Sequence, residues 1–563
     1  MNYIENYRFW CSAELIDTEK NELLSIQGDE EELKGRFGSE LQFGTAGMRG
    51  VMGLGSNRLN YYTVRRAAQG MASWLSGTTL PQIAAIGYDS RHNSAAFAKA
   101  CAVAFAEVGI TAYLFDRLAP TPMLSYAVRK LGCGCGIVIS ASHNSGEYNG
   151  VKCYGPDGCQ MTDEPAEIVT EQIGKIPYFV PEKDRFESYL DSGLIRYIDQ
   201  TLWEEYYDVV LNEAIDPALI RKASLNIVYT PLCGTGNEPV REVLGRLGVN
   251  TTVVTCQERP DGDFKTCEYP NPETDAALAE SYKTAAGVPC DVILGTDPDC
   301  DRVAIAVPCD DGFKKLTGNE LGCLLLDYIL SARAQKGDIP SGAIAVRSIV
   351  SSPLADRIAA QYGVEMKAVL TGFKYIGGEI LDLENIGQEH RYVFGFEESC
   401  GYLKGTYARD KDAVVASMLV CEMAAYFKLQ GKTILDAMQQ LYDRYGLYLA
   451  KVQSIELTGA DAMEKAANIM LNLRNNAPSS IGGMTVTEIR DYKTKVSKNV
   501  AQNTVKPIEL PSSNVLEYIL GESGSVIVRP SGTEPKVKYY YTAIAPNATE
   551  ANSKLDAMMQ QMA

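Results

Sequence analysis

The chain has 563 residues, with 53 Lys+Arg against 71 Asp+Glu, a formal net charge of −18, and 46% hydrophobic residues. At about 150 residues per domain this predicts three to four domains with ample apolar side chain for their cores. The acidic balance excludes a protein that coats nucleic acid or binds anionic membranes, whose targets favour basic surfaces.

In chain order, the first thirty-odd residues are polar and helix-prone and end in the run Asp29-Glu30-Glu31-Glu32. A Gly-rich segment follows from Phe43 to Gly55. Short β-branched runs then alternate with Ala/Leu-rich stretches. Ile83 to Tyr88 is predicted as a strand, Ala95 to Val108 as a helix, Ile110 to Phe115 as a strand, and Cys135 to Ser140 as another. This alternation predicts α/β units with buried sheets. The pattern restarts at Leu225 to Tyr229 and again near Ala343 to Val346. From about Tyr448 the chain is strand-rich, with helical spacing near 460–474 and at its end, as in a smaller α+β unit. The boundaries fall near 205–222, 310–320 and 450, giving domains 1–215, 216–315, 316–450 and 451–563. No fixed-period identity marks these restarts as sequence repeats.

No apolar run approaches the roughly 18 residues of a spanning helix, and MNYIENYRFW lacks the pattern of a signal peptide. Fifteen Cys are scattered without zinc spacing, the tightest pair being Cys133 and Cys135; they predict buried thiols in a reducing cytoplasm. Only His92, His143 and His390 are present, which excludes a His-rich metal site.

Four polar, Gly-bearing loops follow apolar runs, where open α/β sheets assemble ligand sites. The first is Ser140 to Gly146, with Ser142 beside His143. No G-x-S-x-G elbow supports a hydrolase triad, and a hydrogen-bonded turn is the alternative. The second is Gly295 to Arg302. Asp297, Asp299 and Asp301 at alternate positions repel one another unless a cation neutralises them, and oxygen-only ligands suit Mg²⁺ or Ca²⁺. An EF-hand is excluded by Arg302 and Pro308 where Gly and Glu are required. Arg302 is placed to offset charge or reach a phosphate; a solvated acidic turn is the alternative. The third, Gly395 to Gly401, pairs Glu397 and Glu398 with Ser399, acceptors suited to sugar hydroxyls or to a solvated turn. In the fourth, Arg529 to Lys536, an Arg fork, the hydroxyls of Ser531 and Thr533 and the Gly532 backbone make a phosphate cradle. Gly431-Lys432-Thr433 ends like a nucleotide P-loop, but Tyr426 stands where its first Gly belongs.

These loops, in this order, resemble the α-D-phosphohexomutase superfamily, the phosphoglucomutase/phosphomannomutase enzymes. The resemblance runs from Phe43-Gly44-Thr45-Ala46-Gly47-Met48-Arg49-Gly50 to the Arg529 loop. It includes Gly87-Tyr88-Asp89-Ser90-Arg91-His92, Thr371-Gly372-Phe373-Lys374 and Arg409-Asp410-Lys411-Asp412. Departures are Ser140 and Ser145 at the ends of the Ser loop, Pro298 and Cys300 between the Asp residues, and Tyr402 after the sugar-loop Gly.

The resemblance implies an α/β protein of four domains around a central cleft: three related mixed α/β domains and a smaller C-terminal α+β domain that closes over substrate. It implies a phosphoserine at Ser142. Mg²⁺ would be held by Asp297, Asp299, Asp301 and an oxygen on Ser142, and a bisphosphorylated sugar, glucose 1,6-bisphosphate, would serve as activator. Arg49, His143, Lys152 and Lys411 would lie at the reacting oxygens, with Lys411 the choice for proton transfer on the argument that neighbouring cations lower its pKa. Thr371, Gly372, Lys374, Glu397, Ser399, Arg302, Arg529, Ser531, Gly532 and Thr533 would bind the substrate, a small phosphosugar. The expected reaction is the interconversion of glucose 1-phosphate and glucose 6-phosphate, with phosphomannomutase or phosphopentomutase as alternatives. A D-x-D phosphatase fits Asp297-Pro298-Asp299 in spelling, but Asp301 and the Ser142 loop speak against it. A non-catalytic sugar-phosphate binder has no use for the full Ser and Asp set. Sugar preference and oligomeric state stay open at this point.

Overall fold

A computed structural model describes residues 2–44, 47–180, 185–458, 462–531 and 536–562. The chain divides into two units. One comprises Met1–Thr317, Ile376–Phe394 and Ser399–Gln430, the other Gly318–Tyr375, Gly395–Glu398 and Gly431–Ala563.

The first unit opens with helices at Tyr3–Cys11, Asp17–Ser25 and Glu30–Phe37. The acidic run starts the third helix and does not close the helical region as expected. The Asp29 carboxylate accepts the Glu31 and Glu32 amides, and negative charge is stabilised at that end of a helix.

The six strands of the first sheet are β1 (Gly47–Val51), β2 (Ile83–Tyr88), β3 (Thr111–Phe115), β4 (Cys135–Ile139), β5 (Tyr148–Tyr154) and β6 (Ile195–Ile198). Their spatial order is β1-β5-β4-β2-β3-β6. β4, β2, β3 and β6 run parallel, β5 runs against them, and β1 pairs antiparallel with β5 and so runs in their direction. The β4 sequence CGIVI is buried at every position, the continuous apolar run of a strand covered on both faces. The helix Ser94–Ala106 is almost wholly apolar and packs into the same core as Ile86, Leu114 and Ile137.

The second sheet contains β7 (Asn226–Thr230), β8 (Asn250–Val253), β9 (Val292–Thr296), β10 (Val303–Cys309) and β11 (Gly312–Lys315), in the order β11-β10-β9-β7-β8. Its plan repeats the first. The earliest strand of the motif, β2 or β7, is central and parallel to its successor on one side and to the third strand on the other. The chain then turns back into an antiparallel strand, β5 or β10. The repeat is one of topology, which a search for sequence identity does not see. The two turns, after β4 and after β9, are the Ser loop and the Asp loop. Each carries one non-glycine residue in the left-handed region, Ser142 at φ 52° and Cys300 at φ 55°.

In the second unit β12 (Ile344–Ser348) pairs in parallel with β13 (Glu365–Val369). Farther along the chain come β14 (Tyr392–Glu397), whose last three residues belong to this unit, and β15 (Gly401–Leu403), which belongs to the first. The expected sugar loop therefore begins later than its sequence suggested: Gly395, Phe396 and Glu397 continue the strand. The C-terminal region forms a seven-stranded antiparallel sheet. In spatial order its strands are Leu447–Glu456, Lys536–Ala545, Gly524–Pro530, Leu516–Ile519, Glu488–Asp491, Val496–Asn499 and Thr504–Pro507. Helices Ala462–Asn475 and Ala548–Met562 pack on it through Ala466, Met470, Leu555 and Met558. This is the α+β unit expected there.

Thr433 of the false P-loop caps the helix Ile434–Tyr445. Its hydroxyl accepts the Asp436 amide at 3.0 Å and the Asp436 carboxylate returns a 2.7 Å bond from the Thr433 amide. Among the described residues no helix is long and apolar enough to cross a membrane.

Candidate active site

The turn after β4 presents Ser142 at the end of a buried strand. The Ser142 amide donates to Ser140 Oγ at 2.8 Å, closing a tight side-chain turn. The Ser142 hydroxyl donates to Asp297 Oδ2 at 2.7 Å and lies 3.2 Å from His143 Nδ1. Burial, with the nearby Arg302 and Arg49 charges, holds the His143 imidazole well below its ordinary pKa, so the ring is neutral at neutral pH. Arg49 on β1 reaches the same loop and donates to Asn144 Oδ1 at 2.8 Å.

The turn after β9 gathers the three carboxylates. Asp297 and Asp299 are 0% exposed and Asp301 2%, and each offers an oxygen within 4.8 Å of the others. The turn winds on itself: Asp297 Oδ1 accepts the Asp301 and Arg302 amides at 3.1 and 2.9 Å. Gly234 backs it so closely that a Cβ there would stand 2.4 Å from Pro298 Cα, which requires glycine.

Lys152 on β5 places Nζ 2.5 Å from Asp299 and 3.1 Å from Asp301, and Lys411 Nζ lies 3.1 Å from Asp301 and 2.9 Å from Asp410. Burial opposes ionisation of Asp299, but the Lys152 ammonium and the Thr121 hydroxyl more than offset it and hold the carboxyl below its usual range. For Asp297 the one opposing cation, Arg302, is outweighed. Burial and the Asp301 and Asp299 charges push its carboxyl well above the usual range. For Lys152 burial is again opposed, by Asp299 and Asp301, and its pKa is raised.

These residues fit a divalent cation. Among the described residues Asp299 Oδ1 and Asp301 Oδ1 are buried without a hydrogen-bond partner, Asp301 Oδ1 having only Arg302 Nε at 3.8 Å, and buried carboxylate oxygens so placed call for a cation. Arg302 donates to Glu273 at 2.8 Å and keeps its Nε buried without a hydrogen bond. All the residues expected at the phosphoryl centre except a bound group itself, namely Ser142, His143, Arg49, Lys152, Lys411, Arg302 and the three Asp, thus lie together in the first unit. The expectation that cationic neighbours lower the Lys411 pKa has a counterweight here: its nearest ionic partners are the carboxylates of Asp410 and Asp301.

Sequence reasoning missed two supports. Thr121 opens the helix Thr121–Lys130, donating its hydroxyl to Asp299 Oδ2 at 2.7 Å and its amide to the Asp299 carbonyl at 2.9 Å. The run Pro120-Thr121-Pro122 is the sequence signal, since proline favours the first helical turn. Asp410, which holds Lys411, is itself fixed by a 2.8 Å bond from the Tyr154 hydroxyl.

The second unit carries most of the groups expected to read the sugar and the distal phosphate, Ser399 belonging to the first. Glu397 ends β14, is 5% exposed, and accepts the Gly372 amide at 2.6 Å. Gly372 has φ +121°, a conformation open to glycine. Thr371 Oγ1 is buried without a hydrogen-bond partner. Lys374 Nζ lies 5.1 Å over the Tyr375 ring. Glu398 accepts the Ser348 hydroxyl at 3.1 Å, and Ser399 is half-buried in the turn that follows. Arg529 lies on the strand Gly524–Pro530, beside the strand that carries Tyr540. Burial and the Glu398 charge push the Tyr540 phenol up to about 12 against the opposing influence of Arg529. The Ser531 amide donates to the Lys536 carbonyl at 2.8 Å; Gly532 and Thr533 lie outside the described residues.

Four family models match the chain. Those described as phosphoglucomutase/phosphomannomutase alpha/beta/alpha domains I, II and III match residues 40–178, 204–312 and 317–445, and that for the C-terminal domain matches 482–556. A phosphoglucomutase of Staphylococcus aureus (strain bovine RF122 / ET3-1) is 37% identical over 530 residues, 93% of each chain. The solved Paramecium exocytosis-sensitive phosphoprotein pp63/parafusin, a phosphoglucomutase in its open form, superposes with TM-score 0.69 at 16% identity, over 93% of this chain and 95% of that one. An Aspergillus fumigatus N-acetylphosphoglucosamine mutase, solved with GlcNAc-6P and magnesium, superposes with TM-score 0.51 at 14% identity, over 93% and 95% of the two chains.

Proposed function

The chain belongs to the phosphoglucomutase/phosphomannomutase family, and on that premise we propose that it is an intramolecular phosphotransferase interconverting glucose 1-phosphate and glucose 6-phosphate. The observation that carries this reading is the 2.7 Å bond from Ser142 Oγ to one carboxylate of the buried Asp triad. A hydroxyl beside a carboxylate cluster able to hold a cation supports the reading, since phosphoryl transfer needs both. The glucose assignment is supported by the S. aureus relative, which is named a phosphoglucomutase.

In the proposed cycle Ser142 carries the phosphoryl group. A sugar hydroxyl attacks phosphorus, the bond to Ser142 Oγ breaks, and a bisphosphorylated sugar forms. It reorients, Ser142 Oγ attacks its other phosphate, and the isomeric monophosphate leaves. Glucose 1,6-bisphosphate supplied from outside is the activator that charges Ser142. Asp297, Asp299 and Asp301 are the proposed ligands of Mg²⁺, with an oxygen on Ser142 completing the set. The A. fumigatus enzyme of similar fold was solved with magnesium. Bound there, the ion supplies charge neutralisation for the transferring oxygens. Asp297 accepts the Ser142 hydroxyl hydrogen bond, which holds Oγ against the Asp triad. Lys411 is proposed to serve the sugar hydroxyl as acid and base, with Arg49, Lys152 and His143 around the same oxygens. Arg302 offsets the negative charge.

Glu397, Ser399, Thr371, Gly372 and Lys374 are assigned to the sugar, and Arg529, Ser531, Gly532 and Thr533 to the phosphate that is not transferred. The proposed domains are 1–215, 216–315, 316–450 and 451–563, carrying in turn the Ser loop, the Asp loop, the sugar loop and the phosphate loop. A cytoplasmic setting is supported by fifteen free thiols. A coupled assay on glucose 1-phosphate, mannose 1-phosphate and ribose 1-phosphate, with trace glucose 1,6-bisphosphate, tests the assignment. Turnover of none of them refutes it, and preference for mannose or ribose reassigns the sugar.

A further inference from the structure

Arg91 follows β2 in sequence and its side chain is fully buried, yet it bonds no carboxylate of the Asp loop. Its guanidinium instead donates to three backbone carbonyls of the Ser loop and to that of Tyr148 at the start of β5. Nη2 reaches Ser142 at 2.6 Å and Asn144 at 2.5 Å, and Nη1 reaches Ser145 at 2.7 Å and Tyr148 at 2.9 Å. Asp89 Oδ2 stands 3.3 Å from Nε and supplies the countercharge. The Phe264 ring covers the outer face, its centroid 4.9 Å from Cζ. The planar fork with five donors satisfies this set; an ammonium with three cannot.

From this geometry we infer that Arg91 is the positioning residue of the transferring serine. Ser142 occupies the left-handed region at φ 52°, a conformation that costs a non-glycine residue energy and persists only where its surroundings enforce it. Arg91 enforces it by binding the carbonyl of Ser142 itself and three more within the following six residues. The loop is also walled on its far side: a Cβ on Gly146 would stand 2.8 Å from the Gly262 carbonyl oxygen. The segment that covers Arg91 thus also confines the loop. Arg91 acts on Ser142 through the backbone and touches neither the Asp triad nor the expected sugar groups. The inference rests on the mutase reading for its rate consequence but not for its structural one.

The test is Arg91→Lys, with Arg91→Ala rescued by added guanidinium and Phe264→Leu as a milder variant. Loop misplacement of this kind costs about 100-fold in kcat. Arg91→Lys should show that loss with KM for glucose 1-phosphate changed by less than about threefold, because binding groups are untouched. Amide hydrogen exchange of residues 142–148 should quicken while the C-terminal sheet keeps its protection, and millimolar guanidinium should restore part of the Arg91→Ala rate. Should both Arg91 variants fail to fold, Phe264→Leu must still quicken loop exchange and lower kcat. Wild-type kcat in Arg91→Lys, or unaltered loop exchange in Phe264→Leu, overturns the inference. An inactive wild-type enzyme overturns the mutase reading, and the exchange measurement then still decides the role of Arg91.

Discussion

Ser142 Oγ and Asp297 Oδ2 are 155 residues apart in sequence and 2.7 Å apart in space. The bond joins the turn of one sheet to the corresponding turn of another. Removing the hydroxyl from Ser142→Ala deletes the atom proposed to carry phosphate and little packing, so multiple-turnover activity should vanish while the thermal midpoint stays close to that of wild type. Intact-mass measurement should find about one phosphate on the wild-type chain and none on the variant. Phosphate on another residue contradicts the assignment.

Asp299→Asn removes one of three charged cation ligands, together with the partner of Lys152. Phosphoryl transfer should slow by about two orders of magnitude or more, and chelation of wild type should reproduce the loss. Full activity after exhaustive metal removal would take the Asp triad out of the mechanism. The variant also leaves Lys152 with only Asp301 among its two partners, so a partial fall in stability is expected alongside.

His143 gives a pH dependence with a definite sign. Burial, reinforced by Arg302 and Arg49, keeps its folded pKa well below the ordinary value. The unfolded chain takes up a proton there near about pH 6.5, whereas the folded chain stays neutral. Below that pH the unfolded state therefore binds more protons, and stability falls as pH falls; above it this group adds no slope. His143→Gln should lose less stability than wild type between about pH 7 and about pH 5.5, by up to about 1 kcal/mol. Asp297 titrates in both proteins, so the difference isolates His143, and equal losses refute the claim.

For the sugar, glucose 1-phosphate should exceed mannose 1-phosphate by roughly ten- to a hundredfold in kcat/KM, because a hydroxyl misplaced against a buried acceptor forfeits its bond. Glu397 is 5% exposed, so its acceptor capacity is of this costly kind. Glu397→Gln should lose far more kcat/KM than thermal stability. Little change in kcat/KM removes this carboxylate from the sugar site.

The α/β alternation and the four loops were legible because each rests on local pattern. The apolar run Ile83–Tyr88 matches its strand end to end, and alternate Asp residues in a Gly- and Pro-bearing loop declare a crowd of charge. What local pattern cannot carry is a partner far along the chain. Thr121 meets Asp299 across 178 residues, and Arg91 finds its carbonyls only once the loop has folded around it. The recurrence of one topology in two sheets, expected from the restarts and the resemblance, leaves no sequence identity because many apolar sequences satisfy the same strand order. The Glu397 loop was placed early because Gly395 reads as a turn residue, whereas burial holds it in β14.

Neither unit is one continuous stretch: the second receives Gly395–Glu398 as a four-residue loan between segments of the first. During synthesis Ser142 and the Asp turn leave the ribosome long before Lys411, so the carboxylates lack the second of their two lysines while translation continues. Lys152, already released, is the counterion available in that interval. Truncation before residue 411 should therefore yield a chain whose acidic pocket lacks part of its neutralisation, and limited proteolysis of nascent chains at successive lengths should show the first unit gaining protease resistance only after about residue 430 has emerged.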